Sequence, residues 1–85
     1  MNIKEMIERA KEAGACEDGI EWVRQFDSVE EMLASGFNGK TIGYLYWYTW
    51  GVIKGRWKEA EPVISTDPVY KECYEDHFNC KLGED

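Results

Sequence analysis

The chain has 85 residues, 17 acidic against 10 basic, a net charge of −7, and twelve aromatic residues, namely four Trp, five Tyr and three Phe. A chain this short buries only roughly 60–65% of the surface its unfolded form exposes, so its core must be rich in rings, each of which buries more area than an aliphatic side chain. The charge argues against the chain as a whole adhering to nucleic acid or anionic lipid, and no apolar run approaches the length needed to span a bilayer.

In chain order, the first segment pairs Asn2 with Glu5 in a capping-box pattern, sets Ile3, Met6, Ile7 and Ala10 on one face, and stops at Gly14. It predicts an amphipathic helix over residues 1–14. Its mixed charge differs from the basic-then-apolar order of a secretory leader, so the expectation is a soluble, cytoplasmic protein with no membrane partner. Cys16, Cys73 and Cys80 agree, being an odd number without disulfide-framework spacing.

A second helical pattern runs from about Cys16 to Phe26, with Ile20, Trp22, Val23 and Phe26 at helical spacing and Gly19 weakening it. Ser28-Val29-Glu30-Glu31 then opens another short helix, with Val29, Met32 and Leu33 apolar before Gly36.

Residues 44–57 read YLYWYTWGVIKGRW and hold six of the twelve rings, two basic residues and no acid. Tyr, Trp, Thr, Val and Ile favour strands locally. Three features favour a helix: rings spaced in two helical faces, a length of about twelve residues, and Gly55 where a C-terminal cap belongs. Trp57 to Ile64 reads as a further short helix that Pro62 bends. Asp67-Pro68 supplies an N-cap and a favoured first helical residue, with Val69, Tyr70, Cys73, Tyr74 and Phe78 as the buried stripe of the last helix.

The pattern repeats. Tyr44, Tyr48 and Val52 recur 26 residues later as Tyr70, Tyr74 and Phe78, and 26 residues before Tyr48 and Val52 stand Trp22 and Phe26. A fixed period of this size predicts helix-pair units that hide their apolar faces by stacking on one another. The expected fold is therefore all-α: five or six short helices packed as consecutive helical hairpins in a single domain over residues 1–85. An N-terminal helix (1–14) precedes repeat-like units at 16–36, 42–65 and 68–80. The expected core is Trp22, Phe26, Leu33, Leu45, Tyr48, Val52, Ile64, Tyr70 and Tyr74.

Val52-Ile53-Lys54-Gly55-Arg56-Trp57, Glu59-Ala60-Glu61-Pro62, Asp67-Pro68 and Tyr70 resemble the tyrosine-rich 26-residue repeats of uncharacterised phage and bacterial proteins, worded close to Y-x-x-x-Y-x-x-x-V-I-K-G-R-W-x-E-A-E-P-x-I-x-x-D-P-x-Y. Cys16-x-x-Gly19-Ile20-x-Trp22 and Ser28-x-Glu30-Glu31 look like the N-terminal part of such phage proteins. The resemblance covers most of residues 16–78 and implies a helical repeat fold. It carries no catalytic residues. This chain holds one full unit, and its last, Tyr70 to Phe78, lacks the V-I-K-G-R-W ending and reads as a cap.

Cys73, His77 and Cys80 form C-x-x-x-H-x-x-C, which Cys16 would complete as a Cys₃His zinc set. On one straight helix Cys73 and Cys80 stand about 10 Å apart along the axis, too far for two thiolates each roughly 2.3 Å from one zinc. The helix would have to end near Phe78. Buried thiols, a surface imidazole and no metal or cofactor are the expectation. Cys73 and His77 lie one turn apart, but nothing else supplies a nucleophile's base and orienting group, and no phosphate loop, H-E-x-x-H or G-x-S-x-G is present. The chain reads as no enzyme.

Charge is segregated, with residues 1–39 at −5, 40–58 at +4 and 59–85 at −6. Rings interleaved with Lys40, Lys54, Arg56 and Lys58 are the chemistry of a single-stranded nucleic-acid platform, the alternative reading. The preferred one is a non-enzymatic protein-binding module. It presents Glu17, Asp18, Glu21, Glu30, Glu31, Glu72, Glu75 and Asp76 to a basic surface, with Trp50 and Trp57 as exposed anchors. Small acidic phage proteins often occupy nucleic-acid channels of host machinery, so the resemblance points to an inhibitor of a bacterial nucleic-acid-handling or defence complex, such as a CRISPR effector, in the host cytoplasm.

Overall fold

Four helices in this chain, those that follow Asn2, Ser28, Asn38 and Asp67, begin where a short polar side chain accepts an N–H that the first turn leaves open. The computed structural model describes residues 2–82 and shows six α-helices and no strand among them. They fall in two units, Met1–Gly36 and Phe37–Asp85.

In the first unit, Asn2 Oδ1 accepts from Glu5 N–H at 2.8 Å and starts α1 (Ile3–Glu12). α2 (Glu17–Arg24) follows, and Ser28 Oγ accepts from Glu31 N–H at 3.0 Å to start α3 (Val29–Leu33). Gly14 and Gly36 lie in the left-handed region (φ 87° and 86°), where a Cβ would be strained. α1 packs on α2. Ile3, Met6, Ala10, Ile20, Val23, Val29 and Met32 are buried. Trp22 and Phe26 meet edge to face with centroids 5.4 Å apart, and both stay half-buried.

In the second unit, Asn38 and Thr41 form a reciprocal capping box. Asn38 Oδ1 accepts from Thr41 N–H at 3.0 Å and Thr41 Oγ1 from Asn38 N–H at 2.9 Å. α4 (Gly39–Tyr48) then runs into a π-helical turn, Thr49–Ile53, closed by Lys54 N–H on Thr49 O at 2.8 Å. Thr49 is fully buried there, its hydroxyl donating to Leu45 O at 2.7 Å. The ring-rich tract is thus helical through Ile53. The left-handed residue that ends it is Lys54 (φ 59°) rather than Gly55. A side chain in that region costs roughly 1–2 kcal/mol.

A short 3₁₀ turn, Lys58–Ala60, leads into α5 (Glu61–Ile64). Pro62 sits in the first turn of α5, where its missing N–H is not needed, so it helps start a helix instead of bending one. Asp67 Oδ1 accepts from Val69 N–H (2.9 Å) and Tyr70 N–H (3.2 Å) to start α6 (Pro68–Phe78). α4 packs on α5 and α6, and α5 on α6. Gly43 is what lets α6 approach, since a Cβ there would stand 2.8 Å from Tyr70 Oη.

Thr41, Ile42, Leu45, Tyr48, Trp57, Ala60, Ile64, Tyr74 and Leu82 are buried in this unit with Thr49. Of the expected core, Leu45, Tyr48, Ile64 and Tyr74 are inside, whereas Trp22, Phe26, Leu33, Val52 and Tyr70 are only half-buried. The stripe expected on α6 is also corrected, because Val69 and Cys73 face solvent. With 100° per residue, Tyr70, Tyr74 and Phe78 point one way, and Val69 and Cys73 are rotated off that direction.

Candidate interaction face on the second unit

Two constellations in residues 37–82 combine rings with charge. The first is internal. Arg56 grips Glu61 through two bonds, Nε to Oε2 at 2.8 Å and Nη2 to Oε1 at 3.0 Å. Tyr74 Oη donates to Glu61 Oε2 at 2.7 Å and accepts from Trp57 N–H at 3.1 Å. The Arg56 guanidinium holds Glu61 below the usual carboxylate range, and the same bond raises Arg56 above its ordinary value. Burial first, and the Glu61 carboxylate second, push the Tyr74 hydroxyl up to about 12. The four groups tie the segment after the π-turn to α5 and α6.

Trp57 is buried by this arrangement and packs on Tyr48 with centroids 5.6 Å apart. That corrects its expected role as an exposed anchor. Its backbone N–H is spent on Tyr74 and its ring lies in the core, leaving nothing to offer a partner.

The second constellation is outside. Trp50 is 40% exposed and Val69 66%, and they are the exposed large hydrophobic side chains among the described residues. Val69, Cys73, Asp76 and His77 lie within an arc of about 100° on α6, with Glu72 at its edge. All five are exposed. The Trp50 ring meets His77 at 6.1 Å and Tyr46 at 6.4 Å, Tyr46 meets Tyr70 at 5.7 Å, and His77 meets Phe78 at 4.7 Å. The Tyr46 hydroxyl is raised above its ordinary value by burial, then by Cys73 and Asp76, which places both α6 groups within electrostatic reach of it. Trp50 and Tyr70 therefore flank one ring, Tyr46, from two elements.

The predicted acids separate by role. Glu17 and Asp18 open α2, and Glu30 and Glu31 open α3, where the positive end of a helix favours carboxylates; all four are exposed. Glu21, also exposed, pairs with Arg24 one turn on. On α6, Glu72 and Asp76 face outward, but Glu75 is drawn aside. It accepts from Leu82 N–H at 2.7 Å and lies 3.5 Å from Lys71 Nζ, and these contacts lower it below the usual carboxylate range. A polar groove of about 420 Å³ beside this face is lined by Pro68, Lys71, Glu72, Glu75, Asp76 and Lys81.

Reasoning from sequence expected the His77 imidazole at the surface but missed Val69 and Cys73 as its outward neighbours and half-buried Tyr46 as the ring beside Trp50. A helical wheel of residues 68–78 carries the signal, since Val69 and Cys73 fall beside Asp76 there. The thiols are not buried as expected either: Cys16 and Cys73 are exposed and Cys80 is half-buried. α6 does end at Phe78, with Asn79 left-handed and Cys80 N–H bonded to Glu75 O at 3.0 Å. Among the described residues no group of three or more His, Cys, Asp and Glu could hold a metal ion. No helix among them is long and apolar enough to cross a membrane.

Against known proteins, no family model, curated protein or solved structure matches the chain.

Proposed function

We propose that the chain is a non-enzymatic, acidic protein-binding module, phage-encoded and akin to the tyrosine-rich 26-residue repeat proteins. Its partner in the host cytoplasm carries a basic surface, and in the most concrete form it inhibits a bacterial nucleic-acid-handling or defence complex such as a CRISPR effector. One observation carries the reading: an exposed tryptophan, Trp50, packs on His77 of α6, the helix that also bears the exposed carboxylates of Glu72 and Asp76. Such a ring is the kind of anchor that dominates protein interfaces, and the carboxylates supply steering toward a positive partner. The period supports units packed as helical hairpins, because Tyr48 and Tyr74, one repeat apart, are both buried.

The nucleic-acid alternative loses support. Arg56 is held by Glu61, and Tyr48 and Trp57, two of the rings that would stack on bases, are inside. A catalytic Cys73–His77 pair is likewise less favoured, since the His77 ring packs on Trp50 and Phe78.

The test is affinity capture from bacterial lysate with the tagged chain, at low and high salt, beside a fluorescent single-stranded oligonucleotide titration at low salt. Retention of a basic nucleic-acid-handling complex that salt releases, with a silent titration, is expected. Tight oligonucleotide binding, or a lysate from which nothing basic is retained, overturns the reading.

A further inference from the structure

Resting on the protein-binding reading, we propose that the face built by Trp50 with Val69, Cys73, Asp76 and His77 docks an arginine-bearing segment of the partner. A guanidinium lies on the Trp50 ring, which packs on His77, with its N–H fork toward the carboxylate of Asp76, and an apolar neighbour covers Val69.

The chemistry selects this occupant over others. Among the described residues Trp50 and Val69 are the two large hydrophobic side chains left exposed, so covering them is favourable in water. What covers it must also tolerate Glu72 and Asp76 at its edge. A second copy of a chain with net charge −7 brings the same carboxylates, and single-stranded nucleic acid or an anionic bilayer brings phosphates. A basic protein segment alone converts that repulsion into attraction. Within that class the aromatic component favours arginine over lysine, because a planar, weakly hydrated guanidinium stacks on a ring while its N–H fork still reaches a carboxylate. Tyr46, half-buried between Trp50 and Tyr70, backs the Trp50 ring from the same helix. Lys81 lines the adjoining groove and Lys71 is drawn to Glu75.

The probe is a soluble synthetic peptide of repeated Arg-Leu-Gly units, with matched lysine, citrulline and glutamate versions. Affinity is measured by calorimetry on the full chain, and the binding site by NMR shifts of the Trp50 indole N–H and the Val69 methyls. The arginine peptide is expected to bind about tenfold more tightly than the citrulline one and severalfold more tightly than the lysine one. Trp50→Ala and Val69→Arg should each weaken it about tenfold, and Asp76→Asn about threefold. Glu8→Gln with Glu12→Gln, exposed on α1, should leave it unchanged. Val69 is exposed enough for its replacement to leave the fold intact, which circular dichroism checks, so a misfolded Trp50→Ala does not remove the test.

Equal affinity for arginine and citrulline, shifts confined to other residues, competition by a single-stranded oligonucleotide, or self-association that Val69→Arg abolishes would each overturn the assignment. If a basic complex is still captured by the Trp50→Ala and Val69→Arg variants, this face is wrong and the binding-module reading survives. If neither the peptide nor a basic complex binds, both fall.

Discussion

Replacing Tyr74 with Phe removes one oxygen from the interior and leaves the ring in place. That oxygen makes two bonds, accepting from Trp57 N–H at 3.1 Å and donating to Glu61 at 2.7 Å. The Trp57 N–H is buried and would be left without a partner, at a cost of about 1–3 kcal/mol. Glu61 keeps both bonds from Arg56, so losing its third donor should add only about 1 kcal/mol. The expected loss is therefore roughly 2–4 kcal/mol, and since 1 kcal/mol moves the Tm of a domain this size by about 4–8 °C, the drop should be roughly 8–32 °C.

Thermal and urea denaturation followed by circular dichroism measures it. The control is Tyr70→Phe, one turn earlier on the same helix and outside this network, with an expected effect within about 0.5 kcal/mol. Pairing Tyr74→Phe with Glu61→Gln in a double-mutant cycle should return a coupling of about 0.5–3 kcal/mol. A Tyr74→Phe variant no less stable than Tyr70→Phe would refute the reasoning, since the hydroxyl would then not be what ties Trp57 and α5 to α6.

Two further outcomes follow from the same unit. Because Tyr74 holds its proton up to about 12 against an ordinary value of 10.0, it stabilises the fold fully below about pH 10. That contribution is lost as pH rises through about 12. An ultraviolet tyrosinate titration should show late-titrating absorbance from Tyr46 and Tyr74, and the Tyr74 part should move earlier in Glu61→Gln; late absorbance that Glu61→Gln leaves unchanged contradicts this. Gly43→Ala should not give the roughly 1 kcal/mol that alanine brings to a helix interior, because its Cβ meets Tyr70 at 2.8 Å, but it should recover that gain when Tyr70 is also Ala. An equal gain in both backgrounds would show that the close approach does not matter.

Signals confined to a few neighbouring residues were legible in the sequence. The Asn2, Ser28 and Asp67 caps stand where their side chains were expected to act, and the ring tract is helical. These features depend on three or four consecutive residues, as capping and helical periodicity do. The Asn38–Thr41 capping box was open to the same reasoning and overlooked, because Thr is a less familiar third member than Glu or Gln. What could not be read locally was how rings divide between inside and outside. Tyr70 and Val69 are adjacent in sequence and both suit a core, yet the approach of α6 to Gly43 decides that the tyrosine turns in and the valine turns out. The depth of Glu75 is of the same kind, since it depends on Leu82 returning to its side chain.

Trp50 and Trp57 illustrate why grouping them from sequence fails and why the difference matters. They stand seven residues apart, so on an unbroken α-helix they would share a face to within about 20°. The helix is not unbroken. The Lys54 N–H bonds five residues back to Thr49, which puts one extra residue into that turn, and Lys54 itself then reverses to the left-handed region. An added residue shifts the phase by about 100° and the reversal ends the helix, so the two tryptophans no longer share a direction. Buried Thr49 supports the wide turn by donating to Leu45 O, and π-turns of this kind often mark functional positions. The same local departure thus sends Trp57 inward, where its N–H meets Tyr74, and leaves Trp50 outward beside His77. A tract that composition alone would treat as one aromatic block is divided by its backbone into a structural half and an exposed half, and the exposed half is where a partner has a ring to grip.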